Sequence, residues 1–265
     1  MYIKISHVSY DSESSIFATT ALALSAGAAV ADVAVSGDGR MGIVNTSNAV
    51  GADVQFSSRL RIAFTASGTT DGGLEFGGSV RADNAAGGAA GTAGAVFISG
   101  GFGKLTMGDI DTAAEKAVGD VAGVGYQLTT QEAGFLGGAL DEGVLYEYSI
   151  NGLGVKVSAG QIQANSANNE AAIGLTYSIG GVSLGYGYSD SGTTFQNAFS
   201  IGGSVAGLGL KAVWLENEDG AAVETDAAIS ATYAFSPALS GTVFYRELNG
   251  RTAADDRSHT GVGFA

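Results

Sequence analysis

The sequence predicts an all-β protein, a transmembrane antiparallel up-and-down β-barrel, and three observations carry that reading. From Asp32 onward apolar side chains recur at every second position, the period of a strand with two unlike faces. The segments so marked are joined by links that alternate between short and long, the layout of a barrel with tight turns at one end and larger loops at the other. The third observation is composition. The chain of 265 residues is 45% hydrophobic and only 14% charged, where about 25% charged is usual for a soluble domain. Mean hydropathy is +0.21, yet past the N-terminus no apolar run approaches the ~20 residues that a membrane helix requires. Residence in a membrane would therefore use strands.

The same counts exclude several classes of chemistry. With no Cys there is no disulfide scaffold, Cys-ligated metal or thiol nucleophile. Two histidines, His7 and His259, leave little for imidazole metal chemistry. A net charge of -14 opposes a nucleic-acid surface, which draws its affinity from Lys and Arg. Gly37 to Gly42 matches G-x-G-x-x-G, but a chance match is expected among 43 glycines, and no helix-opening βα unit follows.

Taken in order, the first element is a leader. Ile16 to Ala31 is apolar or small throughout and ends in Ala29-Val30-Ala31, the small-x-small pattern of signal-peptidase sites. Residues 1–31 are expected to be a signal peptide cleaved before Asp32. Its n-region is atypical, with Lys4 as the only fixed cation against Asp11 and Glu13. Residues 32–265 form the barrel domain. In its first strand Val33, Val35, Met41 and Ile43 share one face and Asp32, Ser36, Asp38 and Arg40 the other. In the second, Leu60, Ile62 and Phe64 oppose Ser57, Arg59 and Arg61, and in the third Leu74, Phe76 and Val80 oppose Glu75, Ser79 and Arg81. The alternation continues through Val155/Val157, Ile173/Leu175/Tyr177, Val182/Leu184/Tyr186/Tyr188, Leu208/Leu210/Trp214, Ile229/Tyr233/Phe235 and Leu239/Val243/Tyr245, for fourteen candidate strands in all.

Short links are expected at 67–73, 100–103, 151–154, 180–181, 206–207 and 236–238, where Pro237 removes no ladder hydrogen bond. Longer ones fall at 45–53, 83–93, 109–143, 161–170, 189–197, 216–226 and 247–258. Tyr and Trp near strand ends suit the aromatic girdles of a membrane interface. A soluble β-sandwich would alternate as well, so a secreted Gly-rich sandwich or adhesin-like structural protein is the rival architecture.

The longest link, 109–143, exceeds an idle connector and holds Asp109, Asp111, Glu115, Asp120, Glu132, Asp141 and Glu142 against one cation, Lys116. Arg40, Arg59, Arg61 and Arg81 fall on the polar side of the early strands and would point into a lumen. Folded inward, the acidic link would face them across the hole, and opposed charges of that kind sort solutes by size and charge.

These residues resemble a known family. FSSRLRIAFTASGTTDGGLEFGGSVRADNA (56–85), VFISGGFGKLTMGDIDTAAEKAVGD (96–120), LYEYS (145–149) and the leader-like FATTALALSAGAAVADV are similar to the general-diffusion porins of Gram-negative alphaproteobacteria, the Rhodobacter type. The resemblance covers Asp32 to the end and is strongest up to Ser149. It implies a sixteen-stranded outer-membrane barrel, homotrimeric, in contact with membrane lipid and lipopolysaccharide. Its third loop would fold inside as an acidic constriction facing wall arginines, and small hydrophilic solutes and ions would diffuse through passively, with no cofactor and no nucleic acid involved. It further implies structural calcium at acidic loop sites, with Asp109, Asp111 and Asp120 as the leading candidates and Asp141 and Glu142 behind them. Fourteen recognisable strands against sixteen, and an end at Phe264-Ala265 where such chains finish on an aromatic residue, predict a chain short of its final strands, whose barrel either leaves two strand edges unpaired or closes with fourteen strands by rearranging its wall. A barrel enzyme is the other rival. It would need a Ser/His or Asp/His site, for which His259 is the sole imidazole after the leader.

Overall fold

The computed structural model describes residues 20–22, 32–48, 51–85, 92–122, 139–160, 170–192, 194–220 and 222–265. Its strands are β1 (Thr20–Leu22), β2 (Asp32–Asn48), β3 (Gly51–Thr69), β4 (Glu75–Ala85), β5 (Thr92–Gly100), β6 (Gly103–Asp111), β7 (Ala139–Ile150), β8 (Leu153–Ala159), β9 (Ala171–Ile179), β10 (Val182–Asp190), β11 (Thr194–Val205), β12 (Leu208–Asp219), β13 (Ala222–Ser236), β14 (Leu239–Asn249) and β15 (Arg257–Phe264), with one helix, α1 (Ala113–Val118), between β6 and β7. Each strand from β2 to β15 pairs antiparallel with its sequence neighbours, and β15 returns to β2, so fourteen strands close a ring. β1 adds a three-residue pairing, Thr20–Leu22 against Val33–Val35. The rest of the expected leader lies outside the described residues.

Of the two outcomes open to fourteen strands, the structure shows closure. Instead of two unpaired edges, Arg257–Phe264 pairs with Met41–Asn48 in unbroken register. The reason is energetic: an open edge in hydrocarbon leaves backbone groups unsatisfied at several kcal/mol each, and fourteen strands suffice to satisfy them by joining. Above that junction β2 and β3 pair along nearly their whole length, and β3, at 19 residues, is far longer than the roughly 9–11 residues needed to cross a bilayer.

All six short links are turns. Asn151-Gly152 and Ala206-Gly207 both have positive φ, 50° and 82° and then 52° and 80°, the twist a two-residue hairpin requires. Three of the expected long links nearly vanish. β2 and β3 are separated by two residues, β10 and β11 by three, β12 and β13 by two. Their acidic and small residues read as loop because the wall runs on past the apolar belt, where both faces meet water and the alternation fades while the hydrogen-bond ladder continues.

The outward face is apolar. Leu60, Ile62 and Phe64 are 55%, 40% and 46% exposed, and Met41, Phe56, Val96, Ile179, Trp214, Ile229, Phe235 and Val262 are exposed on the same face of their strands. A sandwich would bury this set as its core, so the sandwich reading fails here. Aromatic contacts run across the outside, Phe199 to Trp214 at 5.9 Å, Tyr233 to Phe235 at 5.3 Å and Phe235 to Phe264 at 6.5 Å. Among the described residues no helix is long and apolar enough to cross a membrane.

Candidate pore lining

The segment after β6 turns inward. Thr112 caps α1, its Oγ1 accepting from the Glu115 N–H at 3.2 Å, and Gly119 ends the helix at φ 58°. Ala113, Ala114, Ala117 and Val118 are buried, a stripe at helical spacing that lies against the inner wall. The wall makes room with glycine. A Cβ on Gly187 would come within 2.8 Å of Ala114, and one on Gly174 or Gly185 would collide with the Ala113 or Ala117 carbonyl oxygen. Two hydroxyls of the wall fasten the segment: Ser158 Oγ accepts from the Ala113 N–H at 2.8 Å and Ser230 Oγ from the Ala122 N–H at 3.1 Å.

Packing of this segment divides the interior. On the β11 to β2 side, inward Val44, Ala198, Val213, Leu215, Ala228 and Phe244 meet Val118 and Val121 in a dry cluster. A second cluster joins Ile110, Ala113 and Ala114 to Leu140, Leu145 and Ala172. The inward positions are thus not uniformly polar. Where the inner segment covers the wall they are apolar, because that stretch of wall never meets water.

On the other side a polar recess remains, lined by Arg61, Arg81 and Lys104, by Asp109 and Asp111 at the end of β6 and by Lys116 of α1. Asp109 sits at an irregularity in the β6–β7 register between Gly108 and Ile110. Asp111 pairs with Lys116 at 2.6 Å. Deeper toward the short turns, Glu147 pairs with Lys156 at 2.6 Å, and the Lys104 ammonium lies 4.4 Å from the Phe97 ring centre. Arg40 and Arg59 are directly opposite each other on β2 and β3, a like-charge juxtaposition that is unfavourable alone and is offset by the ion pair of Arg59 with Asp38.

Two carboxyls of the inner segment are displaced in proton affinity. Glu115 is pushed up to about 8, first by burial and then by Asp111 and Asp120, against the pull of Lys116. One of its buried oxygens, Oε2, has no hydrogen-bond partner. Asp120 is raised to about 6. It is open to lumen water, yet protein surrounds it on most sides, so burial leads; Lys211 and Arg246 lower it, and Asp111 and Asp226 raise it.

The predicted residues therefore separate. Arg61 and Arg81 share one recess with Asp109 and Asp111, while Glu115 and Asp120 lie farther along the inner segment and Arg40 and Arg59 line another part of the wall. Glu142 is exposed at the β7 end and lines an outer groove with Val33, Phe64, Val80 and Met107, on the outward face that its parity shares with Tyr146 and Tyr148. Glu132 and the Asp141 side chain lie outside the described residues. Asp109, Asp111 and Asp120 were the leading calcium candidates, but among the described residues no three His, Asp or Glu side chains converge to hold a metal ion.

Several lining residues were missed. Arg246 donates to Asp226 from Nε at 2.8 and 2.7 Å and from Nη2, both residues being buried. Beside them Thr46 Oγ1 and His259 Nδ1 are 3.0 Å apart. Lys211 reaches under the end of α1, where a Cβ on Gly119 would meet its Nζ at 2.9 Å. Parity was the available signal. Ile229, Val243 and Trp214 face out, so Asp226, Arg246 and Lys211 had to face in.

Comparison with known proteins completes the site. A family model of Gram-negative porins matches residues 18–265. The porin of Rhodobacter capsulatus is 40% identical over 171 residues, 59% of this chain, and the match spans only 56% of that relative's length. A solved structure of porin refined at 1.8 Å resolution superposes with a TM-score of 0.65 at 25% identity, covering 88% of this chain and 98% of its own. A triple mutant of Rhodopseudomonas blastica porin shares the fold at a TM-score of 0.56 and 20% identity, with coverage of 88% and 98%.

Proposed function

The chain belongs to the Gram-negative porin family, and from that premise we propose that it forms a water-filled channel in the outer membrane through which small hydrophilic solutes and ions diffuse passively. It is exported by the leader, cleaved before Asp32, and assembles as a homotrimer among lipid and lipopolysaccharide. It carries out no chemical turnover. The observation that best supports this reading is a closed ring, apolar outside, with an acidic segment folded against its inner wall. Facing charges then act on whatever passes: Arg61 and Arg81 on β3 and β4 and Asp109 and Asp111 at the end of β6 span the recess with a transverse field, strengthened by the low-dielectric walls.

The test is electrical. Protein reconstituted in a planar bilayer should open in ohmic steps. Replacing Arg59 and Arg61 together with Gln should move the reversal potential in a salt gradient toward cation preference. Selectivity indistinguishable from the unaltered protein would count against the role of these arginines in the lumen.

A further inference from the structure

Resting on the channel reading, we propose that the recess bounded by β3, β4, β6 and the inner segment is a binding subsite for small oxyanions, solutes bearing a carboxylate or phosphate group. Arg61, Arg81 and Lys104 converge on it from three different strands. Of the carboxylates that share the recess, two are already matched by cations of their own, Asp111 by Lys116 and Glu147 by Lys156, each at 2.6 Å. The third carboxylate on the lining is Asp109. Arg61, Arg81 and Asp109 have interactions of their own, but a guanidinium carries five N–H donors in a fixed fork, so such an interaction can coexist with a bound oxyanion. Lys104 is held by the face of Phe97 at 4.4 Å, which positions the ammonium without neutralising it.

The setting sharpens the contrast. In a chain of net charge -14, a cation-rich recess is a local reversal of sign that concentrates anions from the lumen. Guanidinium groups favour oxyanions over halides because two N–H donors match two oxygens of one carboxylate or phosphate. Hydroxyls of Thr65, Ser79 and Thr106 on the same lining offer further hydrogen bonds to an oxyanion and none that discriminates a halide.

The experiment measures single-channel conductance in potassium chloride with inorganic phosphate, and separately succinate, added stepwise. Both are expected to reduce the chloride-carried conductance saturably in the unaltered channel. Lys104→Gln and Arg81→Gln should each raise the half-blocking concentration about tenfold, the loss expected for one charge-assisted hydrogen bond. Arg257→Gln, exposed at the start of β15, should leave it unchanged. Lys104→Arg, which keeps the charge, should retain block and guards against a variant that simply fails to fold. A channel that conducts chloride but is not blocked overturns the subsite and leaves the channel reading standing. Equal relief by Arg257→Gln would reduce the effect to bulk charge and overturn it too. Absence of any channel would sink both.

Discussion

Glu115 is where a single residue governs behaviour. A folded-state value of about 8, against 4.5 for an ordinary Glu, means that the fold holds this proton more tightly than the unfolded chain does. Its stabilising contribution is complete below about 4.5 and is lost as pH rises through about 8. Over the same rise one negative charge appears on the inner segment. Cation preference, read from reversal potentials, should therefore increase within about one pH unit of 8, and Glu115→Gln should flatten that step. A step that survives the substitution would assign it elsewhere, with Glu170, raised to about 7 by burial, the next group to replace. None of this was legible beforehand. Composition marked Glu115 as one acid among several, and its burial depends on how the segment returns into the ring.

At the scale of the element, α1 lies on a bed of glycines, Gly174, Gly185 and Gly187, against the inner wall. The helix was within reach of the sequence. Thr112-Ala-Ala-Glu115 is a capping pattern and Gly119 a terminator, but a search for period two passes over six helical residues. The strands show the opposite failing. Reading Glu216 to Asp226 as loop placed Asp226 in solvent, whereas β12 and β13 continue through it and bury Asp226 against Arg246. Gly174→Val would place a branched side chain where the Ala113 carbonyl now sits. It should lift the inner segment from the wall and enlarge the single-channel conductance while the barrel stays folded, as judged by heat-shifted gel mobility. Conductance unaltered in a folded variant would show that α1 does not limit flow.

For the whole molecule the decisive contact is β15 on β2. Asn45 and Thr260 are direct cross-strand partners, both exposed, and neighbouring strands put such pairs within disulfide reach. Because the chain has no native Cys, the double variant Asn45→Cys/Thr260→Cys can oxidise only at this junction. Folded barrels should form the intramolecular bond nearly completely, seen as a mobility change reversed by reductant. Free thiols in a folded, detergent-solubilised barrel would mean that the ring is not closed there.

What the sequence by itself determined was parity: which residues face out as an apolar belt, which face in, where the tight turns fall, and how many strands there are. These follow from a two-residue period and from turn chemistry, both properties of neighbours along the chain. Only the tertiary structure decided that fourteen strands join end to end. It also decided that the inward wall is dry where Val118 and Val121 lie on it, and that Asp226 and Arg246, inward by parity, are buried against each other. Those outcomes depend on register between distant strands and on the path of one long link, and no local pattern encodes either.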